Sequence, residues 1–174
     1  MHTNIKFHIL VGNITTINSD VIVNTANFRL LGGGGVDGAI HKAGGKEILK
    51  ECKLLRDTTY LNGLPVGEAV ITTAGNMKAE YVIHTVGPKY KFDDTPRESL
   101  ISCYENSLLL ADKKGCTSIA FPSISTGVYA YPLEKASTIA YETLLKVSQK
   151  CTNIKDIIFV FFNENDAKYL RNLI

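Results

Sequence analysis

Apolar positions along the chain follow two alternating periods. Short β-branched or aromatic runs at residues 5–11, 20–23, 69–73, 81–86, 118–121 and 156–162, each bounded by Gly, Asn or Pro, predict six strands. Between them a 3.6-residue period predicts helices over 38–55, 96–114, 133–149 and from 164 to the end. In the second helix Leu100, Tyr104, Leu108 and Ala111 share one face, as do Leu133, Ala136, Ala140, Leu144 and Val147 in the third. Thr95-Pro96-Arg97-Glu98 reads as a capping box with Pro in the first turn, and Gly115 follows the basic pair Lys113-Lys114. Strands that are almost continuously apolar need cover on both faces, so the pattern predicts a mostly parallel or mixed sheet between two helical layers.

Composition narrows the class. An apolar fraction of 45% in 174 residues suits one compact domain over residues 1–174, and a charged fraction of 21% argues against disorder. Nineteen basic against seventeen acidic residues leave a charge of +2, too little to grip many phosphates of a polymer but compatible with a small anion. The scattered cysteines Cys52, Cys103, Cys116 and Cys151 predict reduced, buried thiols in a cytoplasmic setting. The start, Met1-His2-Thr3-Asn4-Ile5-Lys6, lacks a basic stretch followed by an apolar one, and the longest apolar run is six residues. Neither an export signal nor a membrane span is therefore expected.

The chemistry is sought where glycine is densest. Residues 32–35 are four glycines in a row between a strand and a helix, where backbone N–H groups and the helix dipole favour an anion, phosphate foremost. One glycine suffices for a turn, and ordering four costs much chain entropy. The stretch 33–38 also satisfies G-x-G-x-x-G, yet no strand directly precedes it and Asp57 is not at a strand tip, so a dinucleotide fold is disfavoured. Gly45-Lys46 is followed by Glu47, which excludes a Walker loop.

A second loop, Pro122-Ser123-Ile124-Ser125-Thr126-Gly127-Val128-Tyr129, carries small hydroxyl residues after another strand and reads as a second anion clamp. Asn24, Asn27 and Asp37 bracket the glycine loop. On spacing alone Asp37 suits a helix N-cap as well as a catalytic base, and Asn27 suits a turn. His41 falls one turn beyond Asp37, and His84 reads as a hydrogen-bonded core histidine. The histidines His2, His8, His41 and His84 lack partners at metal-ligand spacing, so no metal is expected. No Gly-x-Ser-x-Gly surrounds Ser123 or Ser125.

The segments Val23-Asn24-Thr25-Ala26-Asn27 and Leu31-Gly32-Gly33-Gly34-Gly35-Val36-Asp37-Gly38-Ala39-Ile40-His41 resemble the signature of the macro domain of MacroD type. The resemblance continues through Pro65-Val66-Gly67-Glu68-Ala69, Ile83-His84-Thr85-Val86-Gly87-Pro88 and the stretch from Phe121 to Tyr129, in the family's order. It implies a three-layer α/β/α fold with a six-stranded mixed sheet and a cleft for ADP-ribose across the strand ends. It also implies metal-independent hydrolysis, with water as the only co-substrate, that removes mono-ADP-ribose from acidic protein side chains and deacetylates O-acetyl-ADP-ribose.

By position Asn27 and Asp37 match the catalytic pair. The expected ligand contacts are Asn13, Ile14, Asn24, Gly34, Gly35, Val36, His41, Ser125, Thr126, Gly127, Val128, Tyr129 and Phe162. The glycine loop and residues 125–129 match the diphosphate clamps, and Phe162 matches the aromatic stacked on adenine. Asn13 stands where the family has an aspartate for the adenine amino group. Thr25 replaces a usual Ala, Ala130 a usual Gly, and Gly45-Lys46 a usual Gly-Pro. The partners implied are ADP-ribosylated proteins, with ADP-ribosylated nucleic-acid ends offering the same handle, and a monomer is expected. The rival reading is a non-catalytic module that binds ADP-ribose without cleaving it.

Overall fold

The structure, a computed structural model, describes residues 4–174; the start Met1-His2-Thr3, and His2 with it, lies outside the described residues. Strands β1 (Lys6–Val11), β2 (Val21–Ala26), β3 (Ala69–Thr73), β4 (Tyr81–Val86), β5 (Ser118–Phe121) and β6 (Asp156–Phe161) form one sheet in the order β1-β6-β5-β2-β4-β3. Every neighbouring pair is parallel except β3 with β4. Period-two alternation splits each strand between two cores. Val21, Val23, Ile119, Phe121, Ile157 and Phe159 point to one face and Ile22, Val82, Ala120, Ile158 and Val160 to the other.

Helices α1 (Gly35–Gly44) and α2 (Lys46–Thr58) cover the second face through Ile40, Ile48 and Cys52. Helices α3 (Pro96–Lys113), α4 (Leu133–Val147) and α5 (Glu164–Arg171) cover the first through Leu100, Tyr104, Leu108, Ala140, Leu144 and Leu170. This is the three-layer α/β/α arrangement with a six-stranded mixed sheet. All four cysteines are free and buried within it. Among the described residues no helix is long and apolar enough to cross a membrane.

Five local expectations change. The helix predicted over 38–55 begins at Gly35 and breaks at Gly45, whose φ of 87° ends α1 and starts α2 in a conformation that favours glycine. The second strand runs on to Ala26, because Asn24 and Thr25 pair with His84 and Thr85 of β4 despite their polarity. Thr95 caps α3 without a side-chain hydrogen bond, so the capping box is not formed, although Pro96 does occupy the first turn. The third helix gives way to a 3₁₀ turn after Val147, and the last stops at Arg171.

The parallel strands end at one edge, and there the chain reverses its direction of winding. From β2 it returns to β4 on one side; from β5 it returns to β6 on the other. This switch point is where open α/β sheets place ligands. Strands β2 and β5 share only two register pairs, Val21 with Ile119 and Ile22 with Ala120, whereas β2 and β4 share six. Beyond those two pairs the strands part, and the gap between them floors a cleft.

Candidate active site

The cleft encloses about 520 Å³. One wall is the glycine loop between β2 and α1, with Asn27, Gly34, Gly35, Val36 and Asp37. The other is the loop after β5, with Ser125, Thr126, Gly127, Val128 and Tyr129. Ile14 and Phe162 close the end nearest β1 and β6. Three expected contacts stand back from the lining. Asn24 and His41 lie behind Asp37, and the Asn13 side-chain oxygen accepts from the Thr15 amide (3.0 Å) and hydroxyl (2.7 Å).

Among the described residues no Lys or Arg lines the cleft. An anion there would be met by dipoles: Gly34 caps α1 without a side-chain hydrogen bond, so the first N–H groups of that helix remain open to the cavity. On the opposite wall the Ser125 hydroxyl is buried against Gly87 and, among the described residues, has no hydrogen-bond partner. Ser125 and Ala130 hold φ of 68° and 61°, left-handed values costly for residues with a Cβ. Backbone bonds fix them there, from Ala130 N to the Gly127 carbonyl (3.0 Å) and from Tyr131 N to the Ser125 carbonyl (2.9 Å).

Asn27 and Asp37 converge across Gly33. A Cβ on Gly33 would sit 3.1 Å from Asp37 Oδ2 and 3.4 Å from Asn27 Nδ2, so glycine keeps the space between the two side chains open. Asn27 is oriented by its own turn: Oδ1 accepts from Arg29 N (3.0 Å), and Nδ2 donates to the Gly32 carbonyl (3.2 Å), which leaves one amide hydrogen for a ligand.

Asp37 is nearly buried in the first turn of α1, not its N-cap. Burial raises its carboxyl above the ordinary value near 3.8, against the opposing pull of the Asn24 hydrogen bond and of His41. Asn24 Nδ2 donates to Asp37 Oδ1 (2.8 Å), and His41 Nε2 lies 3.5 Å from the same oxygen.

Behind the carboxylate runs a buried polar chain. The Thr72 hydroxyl donates to the Thr73 carbonyl (3.0 Å) and so accepts from His84 Nε2 (2.9 Å). His84 Nδ1 then accepts from Asn24 Nδ2 (3.0 Å), whose other hydrogen goes to Asp37. Fully buried, His84 is pushed down to about 3 and stays neutral. It is thus a satisfied core histidine, and its register partner in the sheet is Asn24.

Several lining residues had no place among the expected contacts. Gly87 approaches Ser125 so closely that a Cβ there would collide with its hydroxyl. Asp166 sits four residues beyond Phe162, in the first turn of α5, at the same end of the cleft. Tyr104 of α3 also acts from below: its hydroxyl donates to the Pro122 carbonyl (3.4 Å) and accepts from Ile124 N (3.1 Å), tying the second loop to the core.

A doubly wound sheet whose switch-point loops close on a cleft of uncharged dipoles defines an α/β ligand-binding domain. The macro domain family model matches residues 23–140, and the chain belongs to that family. It is 44% identical over 170 residues to O-acetyl-ADP-ribose deacetylase 1 of Pantoea vagans, covering 97% of this chain and 98% of that protein. An Oceanobacillus iheyensis macrodomain solved with ADP superposes with a TM-score of 0.93 at 43% identity, over 97% of this chain and 90% of that one. A Trypanosoma brucei macrodomain in complex with ADP-ribose gives 0.86 at 38% identity, over 96% and 68%.

Proposed function

We propose that the cleft binds ADP-ribose and that the chain hydrolyses esters on its distal ribose, releasing mono-ADP-ribose from acidic protein side chains and acetate from O-acetyl-ADP-ribose. The observation that carries this reading is the buried Asp37, its pKa raised by desolvation, facing Asn27 across the gap kept by Gly33. A module that only binds has no need of a desolvated carboxylate at that point, and perturbed carboxyls cluster at functional sites. The Trypanosoma macrodomain complex with ADP-ribose and the name of the Pantoea relative support the same ligand and chemistry.

In this reading the diphosphate lies between the N-terminus of α1 and the Ser125 loop, with adenine at the Phe162 end. Ile14 and the carboxylate of Asp166 flank the base, the latter as an acceptor for its amino group. The distal ribose then reaches Asn27, whose free amide hydrogen bonds a hydroxyl. Water held by Asp37 adds across the ester, and the carboxylate takes up its proton or fixes its orientation; a ribose hydroxyl and a free carboxylic acid leave. A raised pKa strengthens the base, and no group beyond water is consumed.

The test is release of ADP-ribose from a protein mono-ADP-ribosylated on glutamate, with the native chain, Asp37→Ala and Asn27→Ala compared and ADP-ribose binding measured in each. Release that collapses in both variants while binding survives is the expected result. Binding by native protein without release, O-acetyl-ADP-ribose also remaining intact, would overturn it in favour of a binding module. Gly35 faces open cavity, so Gly35→Glu should block entry and abolish both binding and turnover.

A further inference from the structure

A second cavity, of about 710 Å³, adjoins the cleft and shares Asn27, Gly87 and Tyr129 with it. Four loops build it: the turn after β2, the connection into β3, the segment after β4 and the tip of the loop after β5. Backbone bonds hold them together, from Leu64 N to the Phe28 carbonyl (2.8 Å) and from Tyr90 N to the Tyr129 carbonyl (2.9 Å). Its position is informative. Phe162 and Ile14 mark one end of the cleft and the Asn27–Asp37 pair lies toward the other, and the second cavity opens beside that pair. Whatever is esterified to the distal end of a ligand in the cleft therefore emerges there.

The walls have a definite chemistry. Phe28, Val66 and Phe92 are exposed, Phe92 by 83%, although each is large and apolar. Arg29 and Lys89 flank them, their cationic groups over the rings of Phe28 (5.7 Å) and Tyr129 (5.6 Å). Among the described residues neither cation has an ion-pair partner. Among the described residues the one carboxylate in the lining, Asp93, is turned to the Thr95 amide (2.8 Å). Two free cations beside apolar side chains suit a short acidic peptide segment, whose carboxylates pair with the cations while its side-chain carbons cover the rings. A nucleic-acid strand would want more phosphate contacts than two.

We infer that this groove is the acceptor site, holding the acidic polypeptide that flanks an ADP-ribosylated glutamate or aspartate. The inference rests on the hydrolytic reading of the neighbouring cleft. It makes the groove a determinant of which protein substrates are cleaved, with no part in small-molecule turnover.

The experiment measures kcat and KM for two glutamate-ADP-ribosylated peptides, one with acidic and one with basic flanks, and for O-acetyl-ADP-ribose, whose acyl group is too small to reach Arg29 or Phe92. Native protein should prefer the acidic peptide by about tenfold through KM, and the double variant Arg29→Glu/Lys89→Glu should lose or invert that preference. Phe92→Ser should raise KM for both peptides. O-acetyl-ADP-ribose turnover and free ADP-ribose affinity should stay at native values in all variants. Flank-independent KM values, or equal losses on peptide and acetyl ester, would overturn the inference. So would a phosphate-linked ADP-ribosyl oligonucleotide end that shows the same dependence on Arg29 and Lys89. If no ester is cleaved, the hydrolytic reading fails separately: affinity for a stably linked ADP-ribosyl peptide is then compared with that for free ADP-ribose, and a charge-dependent excess for the peptide still assigns the groove.

Discussion

The two walls of the cleft are built on opposite plans. The glycine loop is backed by side chains: Asp37, Asn24, His84 and Thr72 form one hydrogen-bonded chain reaching through β2 and β4 into β3. The Ser125 loop is held by its own backbone and by the Tyr104 hydroxyl of α3, carries two non-glycine residues at positive φ, and presents the 97%-exposed Val128. Chemistry that needs a carboxylate held to a fraction of an ångström sits on the wall anchored in the core. Grip on a ligand, which needs N–H groups and a fitted shape, is shared between the N-terminus of α1 and the Ser125 loop.

The strongest way to break this contrast is to empty the anchored wall of its charge. Asp37→Asn keeps an acceptor for Asn24 and should lower turnover by at least about a hundredfold, read as ester hydrolysis at saturating substrate. Stability should move the other way. A carboxyl whose folded pKa is raised contributes stability that is full below the unfolded value and lost as pH rises through the folded one. Asp37→Asn should therefore melt above the native protein at pH 8, with the gap vanishing toward pH 4.

A second test moves the glycine loop itself. A Cβ on Gly38 would collide with the Gly33 carbonyl, so Gly38→Ala must displace helix or loop. It should cost about 1–3 kcal/mol in urea unfolding and about tenfold in ADP-ribose affinity.

His84 probes the buried chain behind the wall. Held neutral down to about pH 3, it forgoes the proton that the unfolded chain takes near pH 6.5, so stability should fall through that window by up to about 1.4 kcal/mol per pH unit. His84→Gln should flatten that slope and cost about 1–3 kcal/mol at pH 8 by leaving Thr72 or Asn24 unpaired. The smallest effect belongs to the Ser125 wall. Ala130→Gly relieves a φ of 61° and should raise the melting temperature by about 2–4 °C, with turnover almost unmoved.

Much of this frame was legible in the chain. Short β-branched and aromatic runs located all six strands, and the stripe from Leu100 to Ala111 is buried as its spacing requires. What periodicity could not reveal was a polar residue satisfied inside a sheet. Asn24 looks like the end of a strand until His84, sixty positions on, is known to be its register partner. The unbroken pattern across Gly45 likewise reads as one helix, because side-chain spacing does not register a backbone φ of 87°. Asp37's direction of titration was open for the same reason: it depends on how deeply α1 packs, which no local spacing states. The groove beside the cleft left no motif, since Arg29, Val66 and Phe92 come from three separate loops.

The four buried thiols carry a practical consequence. Burial pushes Cys103, Cys116 and Cys151 up to about 11 and Cys52 to about 12, so at neutral pH only about one in ten thousand is ionised, or fewer. Alkylating probes will pass them by. A cysteine introduced at Val128, fully in solvent, would take a fluorophore alone, and the native chain would serve as its own unlabelled background for watching that wall close on a ligand.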